Sequence, residues 1–308
     1  MLRCPGHVVH GQLRPLPRRG RWYTGGRRLR GPGRAHRHPQ HRAHRRLPLP
    51  RAHRDQRLGH AHLPPTRVPC VADGPPAERA GVTTQRVRIQ SQGLRLRAEL
   101  ALPAGPGPFP GVVMCHPHPL YGGDMENNVV MGVHEALIAR GLATLRFNFR
   151  GAGGSEGVHD NGVGEVEDAL AALRFLSDTT GVDSTRLGLA GYSFGAGVAF
   201  KATSALPPQA EVNAPLPEVR ALAVVGCPPR MLETQGSPRS VPRLFIAGER
   251  DHIASPQALK PVVARLPQPT DLVAVPGADH FFLGKEKAVG TLVGDFMTRW
   301  LAPPESSA

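Results

Sequence analysis

The chain has 308 residues and a formal net charge of +14, a size that suits one large domain or two small ones. Taken alone, that charge would point to nucleic acid or an anionic membrane as partner. However, residues 1–80 hold 18 of the 38 basic residues and only three of the 24 acids, leaving a net charge of −1 on the rest, so the basicity belongs to one segment and not to the body of the protein.

That first segment contains no lysine, nine of the fifteen histidines and many prolines. It has no apolar period of 2 or 3.6, so it cannot bury enough surface to offset its chain entropy, and residues 1–80 are expected to be disordered. A nucleic-acid arm would use the charge, but only Trp22 and Tyr23 offer rings for bases to stack on. A transit peptide would be serine-rich and amphipathic, and this segment is neither. The composition fits best a translated GC-rich stretch upstream of the true start, with initiation at a non-ATG codon such as that of Val71 or Val82, since no methionine lies between Met1 and Met114.

From residue 83 the pattern becomes regular. Segments 83–91 and 94–102 alternate in period 2 on either side of a short turn, which predicts an antiparallel pair. The continuous apolar run 111–116 predicts a strand buried on both faces. Helices at 126–140, 164–178, 194–205 and 255–266 then alternate with strands at 143–149, 186–191, 219–226, 243–248 and 271–277, before a last helix at 285–301. Strands separated by helices of this length give right-handed crossovers. The expected fold class is therefore α/β, a mostly parallel doubly wound sheet with an antiparallel N-terminal edge over residues 81–308. In such sheets ligands bind beyond the carboxyl ends of the strands. Cys115 and Cys227 adjoin apolar runs and, like Cys4 and Cys70, show no CxxC or framework spacing, so buried thiols are expected.

The motifs fall at those strand ends. Gly191-Tyr192-Ser193-Phe194-Gly195 matches G-x-S-x-G between a strand and a helix, the setting in which a serine Oγ is held up on a tight turn. Serine alone is a poor nucleophile and needs a base that is itself oriented by an acid. Asp251 follows strand 243–248 and His280 follows strand 271–277, in the chain order serine, acid, histidine. Glu249 and Asp279 are weaker candidates for the acid, because one lies at the strand end and the other is the chain neighbour of His280. Candidate catalytic residues are thus Ser193, Asp251 and His280. An oxyanion hole needs two backbone N–H groups. Phe194 supplies one, and His118 is the best donor in the loop His116-Pro117-His118-Pro119, whose prolines have none, with Leu120 behind it. His116 and His118 lack a third ligand at metal spacing, so no metal and no cofactor is expected.

With these segments together, residues 83–302 resemble the α/β-hydrolase superfamily. The stretches 115–130 and 146–157 resemble its small bacterial branch near the dienelactone hydrolases, whose nucleophile is usually cysteine where this chain has Ser193. The resemblance implies an α/β-hydrolase fold and places His116, Asn127 and Tyr192 as candidate site-lining residues; Arg150 and Ser155 read as organisers of their loop. Only sixteen residues, 227–242, separate the strands where many members insert a cap, so an open site without a cap domain is expected. The implied activity is hydrolysis of a small ester or thioester through an acyl-enzyme. The alternatives are a serine peptidase or amidase of the same fold, or a nucleic-acid-associated protein using the basic arm. The expected partner is a small-molecule substrate, with neither nucleic acid nor membrane, and the expected location is the cytoplasm.

Overall fold

The computed structural model describes residues 81–205, 217–232 and 240–303. The expectation for residues 1–80 lies outside the described residues. Two strands, β1 (Thr83–Ser91) and β2 (Leu94–Leu102), form a hairpin whose turn residues Gln92 and Gly93 both have positive φ (47° and 82°). That turn carries the right-handed twist of the flanking strands, which is why glycine sits in it. β3 (Phe109–Cys115), β4 (Ala143–Phe147), β5 (Val182–Tyr192), β6 (Val219–Val225), β7 (Arg243–Gly248) and β8 (Thr270–Val275) complete one eight-stranded sheet of order β1-β2-β4-β3-β5-β6-β7-β8. The β1–β2 and β2–β4 pairs are antiparallel and all others parallel, as the sequence pattern requires.

Side-chain alternation along the central strands feeds two separate cores. Val112, Met114, Ala190, Val225 and Ile246 face helices α1 (Asn128–Ile138) and α5 (Glu286–Trp300). Val113, Leu187, Leu189, Val224 and Phe245 face α2 (Gly164–Ser177), α3 (Phe194–Ala205) and α4 (Pro256–Val263). A strand covered on both faces reads as an unbroken apolar run, which is what β3 is, as are β6 from Ala221 and β7 from Leu244. Asn127 caps α1 by accepting the Val129 N–H, and Ser255 caps α4 by accepting the Ala258 N–H, with Pro256 in the first turn. Cys115 and Cys227 are buried free thiols.

Two differences from the sequence reading have local causes. β5 begins at Val182 rather than near 186, because Val182 pairs with Phe109 across a register shift that the polar run Asp183-Ser184-Thr185 conceals. Two 3₁₀ turns, Pro119–Tyr121 and Pro229–Leu232, carry no periodic signal at their length. The β6–β7 connection, residues 226–242, contains the second of these turns and has no room for a cap domain.

Candidate active site

Ser193 stands between β5 and α3 with φ of +53°, the strained left-handed conformation of a tight turn. The two flanking glycines are explained by contact. A Cβ on Gly191 would lie 2.3 Å from the Gly195 carbonyl oxygen, and one on Gly195 would lie 2.3 Å from the His116 carbonyl oxygen. The turn is tied down by the Ser193 N–H, which donates to the Val225 carbonyl at 2.8 Å. Its Oγ therefore rises at the carboxyl end of the sheet, where α3 points its N-terminus.

The structure brings the three candidate catalytic residues together. Ser193 Oγ lies 3.0 Å from His280 Nε2, and His280 Nδ1 lies 2.8 Å from Asp251 Oδ2. Asp251 Oδ1 accepts the N–H groups of Ile253 (2.7 Å) and Ala254 (2.8 Å), so the carboxylate is held from two sides. Burial pushes the Asp251 carboxyl up, but the hydrogen bonds from His280, Ala254 and Ile253 outweigh it and hold it below the ordinary carboxylate value. The rival acids are otherwise engaged: Glu249 accepts the Gly277 N–H and Asp279 the Phe281 N–H. His280 is fixed through its backbone as well, since the Tyr192 hydroxyl donates to the His280 carbonyl at 2.7 Å.

A cavity of about 500 Å3 opens above Ser193. His118, Asn127, Tyr192, Ser193, Phe194 and His280 all line it, joined by Tyr121, Arg230, Met231, Ile253 and Phe281, which the sequence did not single out. Among the described residues neither the His118 nor the Phe194 backbone N–H has an acceptor. Leu120 is not an available donor, because its N–H donates to His118 Nδ1 (3.3 Å), the side-chain cap of the first 3₁₀ turn.

The expectation that His116 lines the site does not hold. It is fully buried and absent from the cavity wall. Its Nε2 accepts the Phe149 N–H at 3.0 Å and its Nδ1 donates to the Pro117 carbonyl at 2.6 Å, so the ring locks the two loops together. Burial pushes its pKa down to about 4, against a smaller upward effect of the Pro117 bond, which keeps it neutral. Arg150 and Ser155 do organise their loop. Arg150 forms a two-pronged ion pair with buried Asp168 (2.8 and 3.0 Å), and the Ser155 hydroxyl donates to the Asn148 carbonyl.

One cluster escaped the sequence reading. The His159 ring lies 4.6 Å from that of His118 and 5.3 Å from that of Phe194, with Nδ1 2.8 Å from Glu165 Oε1. Glu165, fully buried, accepts the N–H groups of Asp160 and Gly162. Burial, and then the proximity of His159, lower the His118 pKa, with Glu165 opposing.

Comparison with known proteins agrees with this fold. Residues 92–224 match the sequence model of the X-Pro dipeptidyl-peptidase (S15) family. An uncharacterized protein of Rickettsia prowazekii is 34% identical over 197 residues, covering 61% of this chain and 78% of the relative. An α/β serine hydrolase homologue from Coxiella burnetii is 33% identical and superposes with a TM-score of 0.59 over 68% of this chain and 96% of its own. A lidless α/β serine hydrolase from Xanthomonas campestris is 30% identical, with a TM-score of 0.61 over 71% and 96% of the two chains. With eight strands in the order above, no cap domain in the β6–β7 connection and two solved serine hydrolases of 33% and 30% identity each covered over 96% of its length, the chain belongs to the α/β serine hydrolases.

Proposed function

We propose that the chain hydrolyses small-molecule esters or thioesters through an acyl-enzyme formed on Ser193. The observation that carries this reading is the continuous line of contacts from Ser193 Oγ through His280 to Asp251 at the base of an open cavity. In the first half-reaction Ser193 Oγ attacks the carbonyl carbon while its proton passes to His280 Nε2. The backbone N–H groups of Phe194 and His118 hold the oxyanion. The tetrahedral intermediate then expels the alcohol or thiol, which leaves with the proton from His280. In the second half-reaction water gives its proton to His280 and attacks the acyl carbon, and the acid departs as the proton returns to Ser193. Asp251 does not take up the proton; it holds Nδ1–H so that Nε2 faces the serine, and stabilises the imidazolium. This reading keeps the chain near the dienelactone hydrolases, with serine in place of cysteine.

The S15 match favours a second reading, a serine peptidase. A dipeptidyl-peptidase must hold the free amino group of its substrate, which calls for a carboxylate at the cavity wall. No Asp or Glu lines this cavity among the described residues, and its one fixed charge is Arg230. An ester is therefore the better fit. The test is kcat/KM for p-nitrophenyl butyrate, S-butyryl thiocholine and an X-Pro p-nitroanilide, each with Ser193→Ala beside the wild type. Ester or thioester turnover abolished by Ser193→Ala is expected. Faster turnover of the anilide, or ester turnover surviving the substitution, would overturn the proposal.

A further inference from the structure

Seven large apolar side chains are exposed among the described residues, and all seven lie at one end of the sheet. Leu120 and Tyr121 follow β3, and Val158 and Val163 follow β4. Ile253 follows β7, and Phe281 and Leu283 follow β8. These strands are parallel, so the seven residues share the carboxyl-end face on which Ser193 opens. Scattered exposed hydrophobics need no explanation, but a concentration on one face is the mark of a binding surface. Tyr121, Ile253 and Phe281 belong to the cavity wall as well, so the exposed set adjoins the apolar cavity. Leu120, Val158 and Leu283, each at least 70% exposed, stand outside the wall.

The charges on the same loops narrow the ligand. Among the described residues, Asp124, Glu126, Glu156, Asp160, Glu249, Asp251 and Asp279 outnumber Arg150, Arg230, Arg250 and Lys285. A polyanionic carrier such as a coenzyme A thioester would meet net repulsion there. Building on the ester reading above, we propose that the site takes uncharged esters whose apolar acyl chain runs from the cavity out over this collar. The chain is placed on the acyl side because the acyl group alone stays on the enzyme through both half-reactions.

Burying a methylene completely is worth about fourfold in kcat/KM, and covering it on one side about twofold. The test is a series of p-nitrophenyl esters from acetate to octanoate, each below its solubility limit. It uses the full chain and a triple variant, Leu120→Ser with Val158→Ser and Leu283→Ser. The wild type is expected to gain about twofold per methylene from butyrate to octanoate. The variant should keep its acetate turnover, which also reports an intact fold, and lose roughly tenfold on octanoate. A wild-type optimum at acetate or butyrate, an unchanged slope in the variant, or octanoyl coenzyme A turned over faster than the neutral octanoate would overturn the proposal. No hydrolysis of any member would overturn the ester reading and this inference together. Hydrolysis with a flat or falling series would overturn this inference alone.

Discussion

Asp251→Asn separates the two jobs of the carboxylate. Oδ1 accepts two backbone N–H groups, from Ile253 and Ala254, and Oδ2 faces His280 Nδ1. An asparagine keeps its oxygen toward the two donors, because its NH2 would otherwise meet both. The NH2 group then faces His280 and donates to Nδ1, which forces the ring proton onto Nε2. A protonated Nε2 cannot take the Ser193 proton, and a loss of roughly 10⁴ in kcat is expected, about 5.5 kcal/mol of transition-state stabilisation. The fold should hardly notice, with Tm within about 2 °C of the wild type. Asp251→Ala is the contrast. It leaves the buried N–H of Ala254 and the part-buried N–H of Ile253 without an acceptor, together about 2–4 kcal/mol. In a domain of this size that is a fall in Tm of at least about 4 °C. Steady-state kinetics with a soluble ester and thermal melts of both variants are the assay. If Asp251→Asn keeps activity within tenfold of the wild type, the carboxylate does not orient His280 and the mechanism above is wrong.

Three further outcomes follow from other parts of the molecule. Arg150→Met leaves Asp168 as an uncompensated buried charge and should cost about 3–5 kcal/mol in a urea titration, while the Ser193–His280 contact is untouched. His116 has its pKa lowered to about 4 in the folded chain against an ordinary histidine value of 6.5, so the unfolded chain binds the extra proton first as pH falls. Its stabilising contribution is complete above about pH 6.5 and is lost toward pH 4, a difference of about 3 kcal/mol; His116→Gln, which can still accept from Phe149 and donate to Pro117, should flatten that part of the stability–pH curve. A chain beginning at Gly81 should melt with the full-length protein and keep full ester turnover; a Tm lowered by several degrees would show that residues 1–80 pack on the domain.

The order of elements was legible because each strand and helix imposes a period, and β3, β6 from Ala221 and β7 from Leu244 show the unbroken apolar run of strands covered on both faces. Ser193, Asp251 and His280 were legible for a related reason: they stand within five residues past a strand end, where the fold opens. What stayed hidden has no period. Arg230 and Met231 reach the cavity from a four-residue 3₁₀ turn, and Met231 is placed by packing on Gly197, a contact between segments far apart in the chain. His116 and His118 are two residues apart in one loop, yet one is sealed between backbone groups and the other faces the cavity. That difference depends on Phe149 and Phe194, which only the folded sheet brings beside them. His159 was passed over because the buried carboxylate beside it, Glu165, reads in sequence as an ordinary first-turn acid of α2.

The most direct test of the central claim is intact-protein and peptide mass spectrometry after brief treatment with a fluorophosphonate probe. The account predicts one adduct per chain, located on Ser193, absent in Ser193→Ala and formed far more slowly in His280→Ala. An adduct on another residue, or ester turnover in a protein whose Ser193 remains unlabelled, would contradict it.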